Sequence, residues 1–231
     1  MRINKFIAKS GYTSRRKADD LIAAGKVRVN GEVMTQMGYD VADDDVVEID
    51  GEILSIDQFF YYKLNKPVGY VTSNFDPHNE LDLNNLIDIE QKFFAAGRLD
   101  KDSRGLLIIT NDGDFTNELT HPSNGISKEY IVKVDKALSY DKMQAFEGEL
   151  DIGNDEISRK AIIREISDAT YLVKIWQGYN RQIRRMFDVL GSSVIDLQRI
   201  KIGAIELGEI AEGEYEAFDK KDMDFVSLIK G

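Results

Sequence analysis

The sequence predicts an α+β protein in two parts. A small N-terminal module of two helices and a few short strands occupies residues 1–56, and a larger domain with a largely antiparallel mixed sheet and flanking helices occupies residues 57–231. Short strand-like runs outnumber long helical periods, and no regular strand–helix–strand alternation is visible, which argues against a parallel α/β sheet. The charge is also divided. Residues 1–31 hold Arg2, Lys5, Lys9, Arg15, Arg16, Lys17, Lys26 and Arg28 against only Asp19 and Asp20, whereas residues 32–57 hold no Lys or Arg. A length of 231 residues suits one large domain or two smaller ones.

In chain order, Ile3, Phe6 and Ile7 stand at helical spacing, and Gly11 ends that helix. Ser14 can cap a second helix, whose buried face is Ala18, Leu21 and Ile22 and which stops near Gly25; Lys17 at the third following position means no capping box. Val27 and Val29 alternate as a strand into the hairpin signal Asn30-Gly31. Val46, Val47 and Ile49 form another strand, closed by Asp50-Gly51, and 51–60 reads as a linker. Tyr61–Leu64 is a strand, and 66–71 is a turn into a further strand, with Pro67 setting a bend and Gly69 permitting close backbone approach. Residues 73–85 read as a mobile polar loop, 128–134 as a half-exposed strand, 139–147 as a helix and 171–176 as a strand.

Composition excludes several classes. There is no Cys, so disulfide scaffolds and thiolate metal sites fall away. The only histidines, His78 and His121, are far apart, which disfavours a histidine zinc site. No apolar stretch approaches a membrane span and no signal peptide is evident, so a cytoplasmic protein without a membrane partner is expected. The net charge of −11 argues against nucleic acid, but the basic first 31 residues outweigh the sum. Arg15, Arg16 and Lys17 crowd the start of the second helix, near Lys5 and Lys9, where cations oppose the helix dipole. A polyanion facing that surface explains the arrangement; a merely solvated face is the plain alternative.

The most informative stretch is 97–110. Gly105–Thr110 is an apolar run bounded by Gly105 and Asn111-Asp112-Gly113, the pattern of a strand buried on both faces. A charged loop containing Asp100 feeds it, and a carboxylate there is expected to be partly desolvated. A calcium loop is excluded, because its fifth position is Arg104 and its twelfth Asn111. The second stretch, 178–191, places Ile183, Met186, Phe187 and Leu190 on one buried helical face, ended by Gly191. At about 100° per residue, Arg181 and Arg185 point away from that face, towards solvent or phosphate, and Arg184 lands on its margin. Arg184 is therefore the arginine best placed to reach a buried carboxylate; spacing alone does not join it to Asp100, but an opposite charge within about 4–6 Å would keep that carboxylate ionised. The plain alternative is three surface arginines.

Arg2–Ile7, Ser10-Gly11, Ser14–Asp19 and Gly25–Gly31 resemble the S4 RNA-binding module over about the first fifty residues. Gly97-Arg98-Leu99-Asp100 with Ser103–Leu107, Lys66-Pro67-Val68-Gly69, Lys128-Glu129-Tyr130 and Asn180–Met186 resemble four motifs of the RsuA/RluB/RluE/RluF-type pseudouridine synthases. That branch carries an N-terminal S4 module, and the chain looks most similar to its RluF type. The resemblance implies isomerisation of uridine to pseudouridine in structured ribosomal RNA bearing an everted uridine, 23S more than 16S, with transfer RNA as a second candidate substrate. It implies no cofactor, a bacterial cytoplasmic setting and a monomer. Asp100 would be the nucleophile, Tyr130 the residue stacked on the base and Arg184 the partner of Asp100. Arg98, Lys66, Arg181, Arg185, Arg15, Arg16, Lys17 and Lys5 would bind substrate. Two rival classes are a non-catalytic S4-type ribosome-assembly factor and a carboxylate-based hydrolase. The latter needs a second acid, and Asp102 would point elsewhere in an extended loop.

Overall fold

The computed structural model describes residues 1–56, 58–73 and 81–231. They fall into two compact units. The first is Met1–Phe60 with Ile89–Phe93 and Asn111–Gly113, and the second is the remainder. The polar loop expected at 73–85 lies mostly outside the described residues, as does His78; its last part contains a 3-10 turn, Leu83–Asn85, capped by Asp82.

In the first unit, α1 (Ile3–Lys9) and α2 (Arg15–Ala23) precede β1 (Val27–Val29), β2 (Glu32–Val33), β3 (Val47–Ile49) and β4 (Glu52–Ile53). The strands form an antiparallel sheet in the order β2-β1-β3-β4. Ser14 caps α2 by accepting from the Lys17 amide at 3.4 Å, which satisfies one of the free N–H groups of the first turn. Ile3, Ile7, Ala18 and Ile22 from the helices and Val27, Val29, Val47 and Ile49 from the strands make one core. β4 lies inside the stretch expected to be a linker; the Asp50-Gly51 turn returns the chain as a hairpin before the linker begins.

The second unit contains β5 (Tyr61–Lys66), β6 (Phe94–Ala96), β7 (Arg104–Thr110), α3 (Gly113–Thr120), β8 (Lys128–Val134), α4 (Tyr140–Glu147), the short pair β9 (Leu150–Asp151) and β10 (Ile157–Ser158), β11 (Ile162–Ser167), β12 (Thr170–Ile175), α5 (Gln182–Val189), β13 (Val194–Ile202), β14 (Ile205–Glu206), β15 (Tyr215–Ala217) and α6 (Lys220–Lys230). Its main sheet runs β11-β12-β8-β13-β7-β5-β15, with β14 on β13 and β6 on β7. Among the described strands only β13 and β7 pair in parallel, so the sheet is mixed and mostly antiparallel. The expected strand after Pro67 is not formed: Val68 and Gly69 are a turn, and the Gly69 amide donates to the Lys101 carbonyl at 2.7 Å instead of joining a ladder. A glycine at φ 96° suits such a turn and not a strand.

β7 is the central buried strand. Leu106, Leu107, Ile108 and Ile109 have no exposed surface, each burial contributing roughly 1.5–3 kcal/mol. Leu106 and Ile108 face a core with Tyr61, Phe115 and Leu119 of α3, and Val226 of α6. Elsewhere Phe187 of α5 touches Phe146 of α4 and Tyr171 of β12 at ring-centroid distances of 5.0 and 5.7 Å. A buried ion pair, Lys63 to Asp222 at 2.8 Å, ties β5 to α6, and Asp222 also completes the capping box with Asp219.

Gly105 fixes how β7 meets β13. Its φ is +103°, and a Cβ there would stand 2.3 Å from the Arg199 carbonyl oxygen. Backbone cannot yield as a flexible side chain can, so Gly105→Ala is expected to destabilise by about 1–3 kcal/mol or more. Gly69→Ala, at a positive φ with open space around it, should cost about 1 kcal/mol. Denaturant midpoints of the two variants check this; equal losses would contradict the β7–β13 contact.

Candidate active site

Three segments build one cleft of about 470 Å³ in the second unit: the loop 96–103 entering β7, the neighbouring strands β8 and β13, and the turn 178–181 that leads into α5. Asp100, Arg98, Tyr130 and Arg181 all line it, with Lys128, Asn180, Leu197 and Arg199.

The loop is held by its carbonyls. The Asp100 carbonyl accepts from the Ser103 amide at 3.1 Å, closing a turn, and the Leu99 carbonyl accepts from Thr72 Oγ1 at 2.7 Å. Arg199, only 4% exposed, donates through Nε to the Leu106 carbonyl at 2.7 Å and through Nη1 to the Arg98 carbonyl at 3.1 Å. Arg184 donates to the Asp102 carbonyl at 2.7 Å and to the Val194 carbonyl at 3.2 Å. Lys66 donates to the Pro67 and Ser103 carbonyls, both at 2.8 Å. Three cations thus hold one loop.

Within 4.0 Å, Asp100 is not paired with Arg184 as expected. Arg184 binds around Asp102, its Nε 3.4 Å from Asp102 Oδ2. The guanidinium beside Asp100 belongs to Arg181, with Nη1 4.0 Å from Asp100 Oδ2. Helical projection directs Arg181 away from the buried face, but this residue precedes the helix: it is the N-cap of α5, at φ 50° and ψ 32°. That left-handed conformation is rare for a residue with a side chain, and it breaks the 100° progression. Arg181 also grips Asp102 with two bonds of 2.9 Å, so Asp102, expected to point elsewhere, shares a cation with Asp100. Burial acts to raise the Asp102 pKa, but the Arg181 hydrogen bonds and the Arg184 and Arg181 charges hold it below the usual carboxylate range.

Other expected substrate contacts are divided. Arg98 is exposed at the cleft, and Tyr130 is buried in its wall. Lys66 has no exposed surface, so its ammonium serves the loop and not a ligand. Arg185 is half-buried, pairs with Glu156 and lies outside the cleft lining, so an acid stands where solvent or phosphate was expected. In the first unit, Arg15, Arg16 and Lys17 are exposed along the start of α2, and Lys5 is half-buried with a partner. Sequence reasoning misses Arg199. Its one signal is a basic residue recurring inside the alternating run Val194–Ile202. Among the described residues no group of three or more His, Cys, Asp or Glu is placed to hold a metal, and no helix is long and apolar enough to cross a membrane.

The cleft thus offers a loop carboxylate, an arginine and a tyrosine, in a chain that also carries a separate basic module. Residues 61–188 match the RNA pseudouridylate synthase family and residues 1–47 the S4 domain. The chain belongs to the RNA pseudouridine synthases, in the RsuA/RluB/RluF-type branch with an N-terminal S4 domain, and is an isomerase. It is 34% identical to the dual-specificity RNA pseudouridine synthase RluF of Escherichia coli (strain K12), over 100% of this chain and 79% of that relative. It is also 34% identical to the ribosomal large subunit pseudouridine synthase B of Bacillus subtilis (strain 168), over 92% of this chain and 90% of that one. A crystal structure of a pseudouridylate synthase superposes with a TM-score of 0.72 at 29% identity, covering 99% of both chains.

Burial pushes the Lys66 pKa down to about 8, against the pull of Asp100 and Asp102. Its unfolded value is about 10.4. Between these values the unfolded chain binds the extra proton, so stability relative to a Lys66→Met control should rise with pH from about 8 to about 10.4. A neutral amine still donates to both carbonyls. Chemical denaturation across that range checks the sign; a flat or falling difference would contradict the burial.

Proposed function

We propose that the enzyme isomerises a uridine of ribosomal RNA, in the 23S molecule, with Asp100 as nucleophile. The observation that carries this reading is the placement of Asp100. Its side chain is 30% exposed at the cleft, beside the Arg181 guanidinium, in the same cavity as Tyr130. Such a carboxylate is reachable by substrate yet partly shielded from water. Covalent attack by it splits the exchange of a C–N for a C–C glycosidic bond into two easier steps.

A base must leave its stack to enter a cleft of this size, at a cost of a few kcal/mol, and aromatic contact offsets part of that. Tyr130 supplies the aromatic face, and exposed Arg98 occupies the rim where the vacated stack would be. Arg181 balances Asp100 before attack and, 44% exposed, is open to a phosphate of the substrate afterwards. Arg184 and Lys66 act by holding the loop. Residues 1–56 act as the RNA-binding module: Arg15, Arg16 and Lys17 present an exposed cationic edge, suited to phosphates of folded RNA, which position without specifying sequence.

The substrate assignment draws on the relatives. The Bacillus subtilis protein is named for the large ribosomal subunit and the Escherichia coli protein for dual specificity. The first name supports ribosomal RNA, and the second makes transfer RNA a candidate second substrate. The test is pseudouridine mapping in ribosomal and transfer RNA from cells with and without this gene, followed by assay on a hairpin carrying the mapped site. Asp100→Asn should abolish turnover with RNA affinity unchanged. The triple charge reversal Arg15→Glu, Arg16→Glu, Lys17→Glu should weaken binding and flatten its salt dependence by about one unit of slope for each phosphate no longer engaged. Turnover by Asp100→Asn would remove it from the mechanism.

A further inference from the structure

One cation in the cleft has no assigned task. Lys128 opens β8 and lines the cavity. Across the sheet it pairs with Ile175 on β12 and Ile202 on β13, both of which line the same cavity. Among the described residues its ammonium makes no hydrogen bond and no ion pair. The charged group acting on it is another cation, Arg199, and burial followed by the Arg199 charge lowers the Lys128 pKa. Arg199 itself keeps Nη2 buried without a hydrogen-bond partner. Two cations set together among apolar side chains, with no acid between them, are stabilised by whatever negative charge arrives.

An RNA brings negative charge in two forms: its phosphodiesters, and the ring of a base while a glycosidic bond is open. The surroundings favour the ring. Lys128 and Tyr130 are two residues apart on one strand, so their side chains share a face about 7 Å apart. Ile175 and Ile202 flank Lys128 with apolar surface, which fits a flat ring and would leave a diester poorly solvated. We propose that Lys128, backed by Arg199, is a catalytic residue that donates a hydrogen bond to a carbonyl oxygen of the everted uracil and holds the negative charge the ring acquires during isomerisation. This rests on the reading that the base lies beside Asp100 and Tyr130.

The chemistry balances without an added reagent. When the bond between N1 and C1′ breaks, its electron pair stays on the ring, delocalised towards O2 and O4. The Asp100 carboxylate takes the place of N1 on C1′ and leaves again, with its electron pair, as C5 bonds to C1′; a proton leaves C5 and one is taken up at N1. Lys128 stays protonated throughout. Its hydrogen bond strengthens as charge builds on the oxygen, so it favours the open-bond state over bound substrate. Arg199 is a positioning residue: its charge and its grip on the loop keep Lys128 turned to the cavity.

Single-turnover rates at saturating RNA, on the hairpin carrying the mapped uridine, test this. Lys128→Met should slow the rate by about 10²–10³-fold, the loss usual for one oxyanion donor. RNA affinity and its salt slope should stay within about twofold, and Lys128→Arg should recover at least about tenfold of the rate. Replacing O2 or O4 of the target uracil by sulfur, a poor acceptor, should slow the wild type at one of the two positions and leave Lys128→Met almost unaffected there. Three results would overturn the proposal: an unchanged rate; a loss confined to affinity with a salt slope smaller by about one, which marks a phosphate contact; or sulfur effects equal in both enzymes. Asp100→Asn in the same assay separates the two readings. If it is inactive while Lys128→Met is not, only the Lys128 role fails; if it turns over, the site reading fails first.

Discussion

The close approach of β7 and β13 at Gly105 governs the rest of the site. Because residue 105 has no side chain, the Arg199 backbone can lie against it, and the Arg199 guanidinium then reaches two carbonyls on the β7 side, those of Leu106 and Arg98. One residue thus ties the strand to the loop that carries Asp100. Lys66 and Arg184 reach the same loop at Ser103 and Asp102. Hydrogen bonds from charged donors contribute about 1.5–3 kcal/mol each, but burying the charges consumes much of that gain. The net effect is placement more than stability: the loop has one arrangement in which these donors are satisfied, and in it Asp100 meets the cleft.

The cations therefore have separate tasks. Lys66, Arg184 and Arg199 are buried and bind backbone, where they are insulated from salt. Arg181 and Arg98 are accessible, and Arg15, Arg16 and Lys17 stand on the other unit's surface, where Debye screening of about 10 Å at 0.1 M salt applies. Arg181 bridges the two groups. It holds Asp102 bidentately from a strained left-handed backbone position while facing Asp100. Strain of that kind persists only where surrounding contacts fix it, and here the bidentate pair is the contact.

Much of this is legible in the sequence, for identifiable reasons. β7 announces itself because a strand buried on both faces must be apolar at every position. The face of α5 is readable because Ile183, Met186 and Phe187 repeat at the helical period and do pack inward. The arginine partner is misassigned because helical projection holds only inside a helix, and Arg181 sits one residue before it. Lys66 enters as a substrate contact through the motif resemblance; nothing local reveals that two carbonyls converge on it. Arg199 and the parallel β13–β7 contact depend on residues some ninety positions apart, a pairing that no local pattern encodes. Ile89–Phe93 and Asn111–Gly113 belong with the first unit for the same reason.

The central claim is that the Asp100 loop is prearranged by buried cations before RNA binds. Amide hydrogen exchange of the free enzyme measures this directly at Gly69, Leu99 and Ser103, whose N–H groups donate to the Lys101 carbonyl, Thr72 Oγ1 and the Asp100 carbonyl. A prearranged loop predicts exchange slowed to within about tenfold of the β7 amides, since both would open only with the surrounding structure. Exchange at the rate of an unstructured peptide would show that the loop forms only on substrate, and would contradict the account.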